Sequence, residues 1–250
     1  MSTTPKVCVF RDSKAAFDFA VNKWMEISHE SVKNKVFFTV ALSGGRTPID
    51  FYTMLSASKN RLLWKKTHIF LVDERFVPPS HKESNYCLIQ EHLLKAIDIQ
   101  KGNIHPVQTE EATLEMAAEK YEEEIRNFFG IEGERIPEFD LIMLGIGEDG
   151  HTASLFPGAP SLMEEKRVAI PVITEKAPHK RISLTLPVLA NAQRIMFLVT
   201  GSEKSGIVRE IVEESESRLP ASLVRRMARS VYLVIDEGAA SLLSGTGADT

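Results

Sequence analysis

Several features that mark special classes of protein are scarce or missing in this sequence. Its 250 residues include two cysteines, Cys8 and Cys87, too few for a disulfide framework and without the spacing of a zinc site. No apolar run is long enough to span a bilayer, and the first residues, MSTTPKV, lack the apolar segment of a signal peptide. The formal net charge of -4 gives no electrostatic reason to bind nucleic acid or an anionic membrane. We expect a cytoplasmic protein with buried, reduced thiols, no metal or other cofactor, and no nucleic-acid or membrane partner.

The composition that remains is typical of a globular protein with a substantial core. Hydrophobic residues make up 43% of the chain and charged residues 26%. The length suits one large domain or two small ones, and no repeat, low-complexity block or linker divides it. We therefore expect one domain over residues 1–250, with small polar segments at residues 1–5 and 244–250 that are flexible.

Short apolar runs alternate with helical segments along the chain. The patterns predict strands at residues 7–10, 36–42, 68–72, 139–145, 168–173, 181–186, 194–200 and 231–235. They predict helices at residues 13–34, 48–56, 84–96, 111–129 and 202–213, and a last helical turn around 237–243. This alternation predicts an α/β fold, a mostly parallel sheet with helices on both faces.

The most informative segment is FDLIMLGIGEDGHTASLFPG, residues 139–158. Its apolar run predicts a strand buried on both faces, and the glycines that follow predict a sharp turn at the carboxyl end, where open α/β sheets bind ligands. This turn contains Asp149 and His151. A carboxylate can orient and polarise an imidazole, which is an arrangement suited to general base catalysis. A solvated acid and histidine in a structural turn would give the same pattern.

His151 differs from the other six histidines because it alone stands within a glycine turn at a predicted strand end. Its ordinary pKa, about 6.5, allows it to take a proton from water at neutral pH. Thr152 and the two residues after it are predicted to form the first turn of a short helix, whose amides and hydroxyls could receive a negative oxygen.

A second glycine turn, SGGR at residues 43–46, follows the predicted strand 36–42. Thr47 and Pro48 predict a helix start with a capping hydroxyl, so the glycines would lie between a strand end and a helix N-terminus. Backbone amides and the helix dipole there favour a bound anion, and Arg46 can add a planar group for phosphate oxygens. A tight turn with an exposed arginine is the alternative.

Charged residues stand near other predicted strands. Asp73 and Arg75 follow strand 68–72, and Arg181 begins strand 181–186. Lys204 opens the predicted helix 202–213, where its charge opposes the helix dipole unless an anion is bound. Solvated ion pairs or an exposed lysine would explain these residues equally well. Asn85, after the predicted cap Ser84, is a weaker candidate for the site.

Together, SGGRTP at residues 43–48, VDER at 72–75 and GIGEDGHTASLFPG at 145–158 give the chain a specific resemblance to the 6-phosphogluconolactonase family, from about residue 10 to residue 243. The resemblance implies a Rossmann-like α/β domain, shared with the glucosamine-6-phosphate deaminases. It implies hydrolysis of 6-phospho-D-glucono-1,5-lactone to 6-phospho-D-gluconate in the oxidative pentose phosphate pathway, without a metal or cofactor. Whether the chain is a monomer or a dimer stays open.

The resemblance also implies roles for individual residues. His151 would activate water and Asp149 would orient the His151 imidazole, although Asp149 could instead contact the sugar. Arg181 and Lys204 would be the main phosphate ligands. The full set of substrate-binding candidates is Ser43, Gly44, Gly45, Arg46, Asp73, Arg75, Thr152, Arg181 and Lys204.

Two alternatives remain at this point. A glucosamine-6-phosphate deaminase would share Asp73, Asp149 and His151, but in that family a glutamate five positions after the histidine partners it, and here that position is Phe156. A non-catalytic sugar-phosphate sensor or nucleotide-binding module is the second alternative. Its glycine match, GIGEDG, is loose and is not followed by a clear ribose-binding carboxylate.

Overall fold

Seven parallel strands form the central sheet of this protein. The structure is a computed structural model that describes residues 6–57 and 61–244. The segments predicted to be flexible, 1–5 and 244–250, therefore lie outside the described residues except for Ser244. The strands in chain order are β1 (Lys6–Phe10), β2 (Phe38–Leu42), β3 (Thr67–Leu71), β4 (Asp73–Arg75), β5 (Ile104–His105), β6 (Leu141–Leu144), β7 (Ala169–Ile173), β8 (Lys180–Leu184), β9 (Ile195–Val199) and β10 (Val231–Asp236). The central sheet has the order β1-β10-β9-β6-β2-β3-β5, and its neighbouring strands are parallel.

The middle of the sheet is covered on both faces. Every residue of β2, β6 and β9 is buried, which explains why these strands are unbroken apolar runs rather than alternating patterns. On one side Trp24 packs edge-on against Phe38 of β2, with ring centroids 5.3 Å apart. Each large apolar side chain buried in this way contributes about 1.5–3 kcal/mol to stability. The predicted α/β class, a mostly parallel sheet with helices on both faces, is confirmed.

The helices in chain order are α1 (Ser13–Lys35), α2 (Thr47–Ser56), α3 (Arg61–Trp64), α4 (Asn85–His92), α5 (Leu114–Phe129), α6 (Leu186–Asn191), α7 (Ser205–Glu213), α8 (Pro220–Met227) and α9 (Glu237–Ala240). Each predicted helix corresponds to one of these, although the predicted segments 84–96 and 202–213 each divide into an α-helix and a short 3₁₀ turn. The predicted helices did not include α3, α6 and α8. α6 and α8 have six and eight residues and contain proline in the first turn.

Two predicted strands belong to a second sheet rather than to the central one. β7 and β8 pair antiparallel with each other, and β8 also pairs antiparallel with β4. No strand was predicted at β4. Its three residues continue the chain directly from β3 into this small sheet, so the carboxyl end of β3 is tied to the β7–β8 hairpin.

The order of the strands creates a switch point between β2 and β6. The chain runs outward from β2 to β3 and β5, then returns to place β6 on the other side of β2. The loops after β2 and β6 therefore leave in opposite directions and open a crevice between them. Open α/β sheets bind ligands in such a crevice.

Two smaller observations bear on the composition. Cys8 and Cys87 are free thiols. They were expected to be buried, but both are only half-buried. In the described part of the chain, no helix is both long enough and apolar enough to cross a membrane.

Candidate active site

A cavity of about 440 Å³ lies in the crevice at the carboxyl ends of β2 and β6. The structure brings together in its lining ten of the residues singled out from the sequence, which are Ser43, Gly44, Gly45, Arg46, Asp73, Arg75, His151, Thr152, Arg181 and Lys204. Asp149 stands behind the cavity wall and contacts His151. Segments 160 residues apart in the chain thus meet at one edge of the sheet.

Asp149 and His151 form a hydrogen-bonded pair. The imidazole Nδ1 of His151 bonds to Oδ1 of Asp149, and the backbone N–H of His151 donates to the same oxygen at 3.3 Å. Because a carboxylate only accepts, Nδ1 has the proton and Nε2 is left with a free lone pair. The neutral ring is therefore in the tautomer that can accept a proton.

Burial and charge both set the protonation of this pair. Burial lowers the pKa of His151 below its ordinary value, and the hydrogen bond and charge of Asp149 offset this only in part. Burial raises the pKa of the Asp149 carboxyl, but the hydrogen bonds from Lys176 and His151 outweigh it and hold that pKa well below the usual range. At neutral pH the pair is a carboxylate beside a neutral imidazole.

The turn that holds the pair depends on Gly147. Its N–H donates to the carbonyl of His151 at 2.8 Å, and its carbonyl accepts from the N–H of Gly150 at 2.9 Å. A Cβ atom at residue 147 would overlap the imidazole of His151 and press on the Asp149 carboxylate. Glycine is needed here because the imidazole packs directly on the backbone.

Phe156 forms one wall of the histidine's surroundings. Its ring lies 4.7 Å from the imidazole of His151, centroid to centroid, at an interplanar angle of 32°. The residue that differs from the deaminase pattern therefore touches the proposed base directly. An apolar ring in this position cannot relay a proton.

The residues after His151 do not begin a helix, contrary to the prediction. Thr152 forms an antiparallel bridge with Leu155, and Ala153 has a left-handed φ of 53°, so the chain makes a tight turn. The Thr152 hydroxyl donates to the carbonyl of Gly145 at 2.9 Å. Thr152 thus closes its own loop, and its hydroxyl proton is already engaged.

The SGGR turn differs from its prediction in one detail. Thr47 does not cap α2. Arg46 occupies the N-cap position, without a side-chain capping bond, and Thr47 is the first helical residue. The helix N-terminus still faces the cavity through residues 43–47. Ser43 lines the cavity too, but its hydroxyl donates to the carbonyl of Met143 and so ties β2 to β6.

Asp73 is held in the cavity wall by two side chains. It is 5% exposed, and its carboxylate accepts from the Ser154 hydroxyl at 2.6 Å and from the Asn85 amide at 3.2 Å. The amide oxygen of Asn85 is buried and has no hydrogen-bond partner among the described residues. A Cβ atom on Gly44 would overlap that amide. Asn85 therefore packs on the glycine turn, with its amide oxygen against Gly44.

Glu74 explains how Asn85 is positioned. Its buried carboxylate accepts from the backbone N–H groups of Asn85 and Tyr86 at 2.7 and 2.8 Å, at the start of α4. It also accepts from the Ser84 hydroxyl at 2.9 Å, while Ser84 caps the helix as predicted by accepting from the N–H of Cys87. Burial raises the pKa of Glu74, and these hydrogen bonds oppose the rise.

Arg181 and Lys204 bring positive charge to the cavity from two sides. Arg181 is 7% exposed and donates to the carbonyls of Pro178 at 3.1 Å and Ala177 at 3.4 Å. Burial lowers its pKa. Lys204 donates to the carbonyl of Ile146 at 3.0 Å. The hydrogen bonds found for both cations go to backbone carbonyls rather than to carboxylates, although Asp73 and Glu83 act on Arg181 through space. Both can therefore still attract an anion.

Two more of the cations predicted from the sequence, Arg75 and Arg46, line the cavity. Arg75 donates to the carbonyl of Glu83 at 2.7 Å, and its Nε is buried without a hydrogen-bond partner in the described part of the chain. Arg46 is exposed at the mouth of the cavity. Four cations predicted from the sequence thus surround one crevice, together with a histidine base and a buried carboxylate. Such a site can bind a phosphorylated polyol and transfer a proton within it.

Lys176 also lines the cavity, but it was not among the site residues predicted from the sequence. It lies in the hairpin between β7 and β8, and its ammonium nitrogen is 2.6 Å from Oδ2 of Asp149. No local pattern marks it, because the surrounding residues are those of an ordinary polar turn. Its contact depends on β7 and β8 forming the second sheet, which the sequence did not predict.

The fold and this crevice define the class of protein as an open α/β sheet with a cationic, histidine-containing cleft at its switch point. The chain belongs to the family of glucosamine-6-phosphate isomerases and 6-phosphogluconolactonases, whose family model matches residues 11–233. It is 37% identical to the 6-phosphogluconolactonase of Synechocystis sp., over 82% of this chain and 84% of that protein. Among solved structures it is similar to the 6-phosphogluconolactonase from Trypanosoma brucei, with a TM-score of 0.88, 29% identity, and coverage of 97% of this chain and 100% of that one.

The deaminase branch of the family shares the fold. A monomeric glucosamine-6-phosphate deaminase superimposes with a TM-score of 0.79 over 95% of this chain and 99% of its own, at 22% identity. That level of identity shows the common fold alone. The choice between the two activities has to come from the residues of the site.

Proposed function

We propose that this protein hydrolyses 6-phospho-D-glucono-1,5-lactone to 6-phospho-D-gluconate, acting in the cytoplasm in the oxidative pentose phosphate pathway. The observation that supports this most strongly is the Asp149–His151 pair, with a free Nε2 on a neutral ring, beside a cavity whose lining contains more cations than carboxylates. The similarity to 6-phosphogluconolactonases over most of the chain supports the choice of substrate.

In the proposed reaction the 6-phosphate is anchored first. Arg181 and Lys204 are buried or half-buried cations whose protein partners are carbonyl oxygens, so a phosphate would add charge-assisted hydrogen bonds that each contribute about 1.5–3 kcal/mol. The SGGR turn offers backbone amides at the N-terminus of α2. With the phosphate held, the lactone carbonyl is confined to the part of the cavity beside His151.

His151 then acts as general base. Its Nε2 removes a proton from water, hydroxide adds to C1 of the lactone, and the ring oxygen leaves with the proton that His151 returns. Asp149 keeps the proton on Nδ1 and stabilises the imidazolium that forms during the step. The carboxylate of Asp73, which lines the cavity, can accept hydrogen bonds from sugar hydroxyls. No step in this scheme uses a metal ion or a cofactor.

Phe156 argues against the deaminase alternative. That reaction moves protons within an opened sugar ring, and the family uses a glutamate partnered with the histidine for it. Here an apolar ring lies against the imidazole instead. Asp149 satisfies Nδ1 from within the same loop. The site can thus activate water, but it lacks the second proton carrier that the isomerisation uses.

A coupled assay tests the proposal. Fresh lactone is generated from glucose 6-phosphate by its dehydrogenase, and 6-phosphogluconate is followed with and without this protein and its His151→Ala variant. The wild type should exceed the spontaneous rate, and the variant should lose about 10²–10⁴-fold because the general base is gone. The variant should still bind 6-phosphogluconate. A wild-type rate equal to the spontaneous rate would refute the proposal.

A further inference from the structure

Lys176 contacts the proposed catalytic pair from a different part of the fold. Its ammonium group bonds to Oδ2 of Asp149 at 2.6 Å, while Oδ1 of the same carboxylate bonds to Nδ1 of His151. Asp149 is therefore held at both oxygens, by the imidazole on one side and by a cation on the other. Half of the Lys176 side chain is exposed, and it forms part of the cavity lining.

The hairpin that holds Lys176 is organised around Arg181. Arg181 donates to the carbonyls of Ala177 and Pro178, the two residues after Lys176. The hairpin is also closed by a bond from the N–H of Thr174 to the carbonyl of His179 at 2.8 Å. The backbone next to Lys176 is thus fixed by a proposed phosphate ligand, so phosphate binding and the acid–histidine pair share one structural element.

The aromatic ring of Phe156 lies close to Lys176, Arg181 and His151. The Lys176 ammonium lies 5.5 Å from the centroid of this ring and the Arg181 guanidinium lies 5.6 Å from it. The same ring contacts the imidazole of His151. Cations at this distance from an aromatic ring are attracted to its face. This attraction also stabilises Lys176 beside the Asp149–His151 pair.

The charged groups that act on His151 come from three elements. They are Asp149 in its own turn, Lys176 in the β7–β8 hairpin and Asp73 at the start of β4. The two carboxylates favour the imidazolium, and Lys176 opposes it. Without Lys176, two negative charges would act on the ring and no positive charge from the hairpin would balance them.

We propose that Lys176 is a positioning residue for the reaction. Its ammonium group fixes the orientation of the Asp149 carboxylate and keeps His151 as a neutral, Nδ1-protonated base. This inference rests on the proposed function, since it assigns Lys176 a role toward the base used in lactone hydrolysis. A surface ion pair without such a role would leave the titration of His151 unchanged.

The experiment compares the wild type with Lys176→Met, Lys176→Arg and a matched control, Lys180→Met. Lys180 is an exposed lysine in the same hairpin and is outside the cavity lining. The titration of His151 is followed by NMR of its Cε1–H, identified by its absence in His151→Ala. The acid limb of kcat/KM for the lactone is measured on the same proteins.

In Lys176→Met we expect both midpoints to rise by about half a pH unit, the size expected for loss of a half-exposed charge pair. Lys176→Arg should restore the wild-type midpoints, and Lys180→Met should not move them. Wild-type midpoints in Lys176→Met, or an equal rise in Lys180→Met, would overturn the inference. A wild type without lactonase activity would refute the proposed function instead, and the NMR titration would still test the coupling of Lys176 to His151.

Discussion

Gly147 packs against the Asp149–His151 pair, so a single methyl group there should disable the base while the fold persists. A Cβ atom on residue 147 would lie 2.7 Å from Oδ1 of Asp149 and nearer still to Nδ1 and Cε1 of His151. Since non-bonded heavy atoms settle about 3.5–4.0 Å apart, the ring or the carboxylate must move by about 1 Å or more. A displacement of about 1 Å in a catalytic group can cost about 10²-fold in rate. We expect kcat of Gly147→Ala to fall by that amount.

Gly145 supplies the matched control, two residues earlier in the same turn. Neither glycine has a φ in the left-handed range, and no described atom lies within 4 Å of a Cβ built on Gly145. Gly145→Ala should keep the wild-type kcat. Gly145→Ala should be at least as stable as the wild type, because alanine at a compatible backbone position narrows the unfolded ensemble. Gly147→Ala should also remain folded, but with a loss of about 1–3 kcal/mol of stability, because the displaced side chains have to repack.

The assay is coupled lactone hydrolysis with the spontaneous rate subtracted, together with thermal unfolding of each variant. Wild-type kcat in Gly147→Ala would refute the argument that the imidazole packs on this backbone. An equal loss in Gly145→Ala would refute it too, because it would show that the turn tolerates no side chain at all.

Three further predictions concern charge and pH. Arg181→Ala and Lys204→Ala should each raise KM for the lactone about tenfold or more with a smaller change in kcat, because each removes a charge-assisted bond to the phosphate; unchanged KM in both would disprove the phosphate site. Because burial lowers the pKa of His151 despite Asp149, kcat/KM should fall only below about pH 6.5, the ordinary imidazole pKa; an acid limb centred above that value would contradict the assigned environment. Burial and the neighbouring His105 lower the pKa of His68 to about 4 in the folded protein. As the pH falls from about 6.5 towards 4, the unfolded chain therefore takes up a proton on His68 that the folded protein does not. The free energy of unfolding should decline over this range. His68→Gln, measured by urea unfolding, should flatten that decline, and an unaltered slope would show that His68 is not its source.

The central sheet could be predicted from the sequence because its strands are buried on both faces and are therefore unbroken apolar runs. The pairing partner of each strand could not be predicted in the same way. The patterns at residues 168–173 and 181–186 predicted strands, yet they do not indicate which sheet the strands join. β4 was missed because its residues are charged, and they are buried only through partners from distant segments, such as Ser154 for Asp73.

The site residues also divide into those that could be predicted from local sequence and those that could not. Residues in glycine turns after strands could be found because a turn at a strand end has a local signature, and these residues do line one cavity. Lys176 could not be found, since its contact with Asp149 depends on the placement of the second sheet. Thr152 was assigned to a helix because its sequence resembles a helix start, but the bridge to Leu155 makes a tight turn more stable. The catalytic and binding roles of these residues stay predictions.

We infer that this site activates water toward a phosphorylated lactone rather than isomerising an amino sugar. The decisive experiment measures 6-phosphogluconolactone hydrolysis and ammonia release from glucosamine 6-phosphate side by side, for the wild type and His151→Ala. We expect lactone hydrolysis well above the spontaneous rate in the wild type only, and no ammonia release from either protein. Ammonia release by the wild type without faster lactone hydrolysis would show that the site is a deaminase instead.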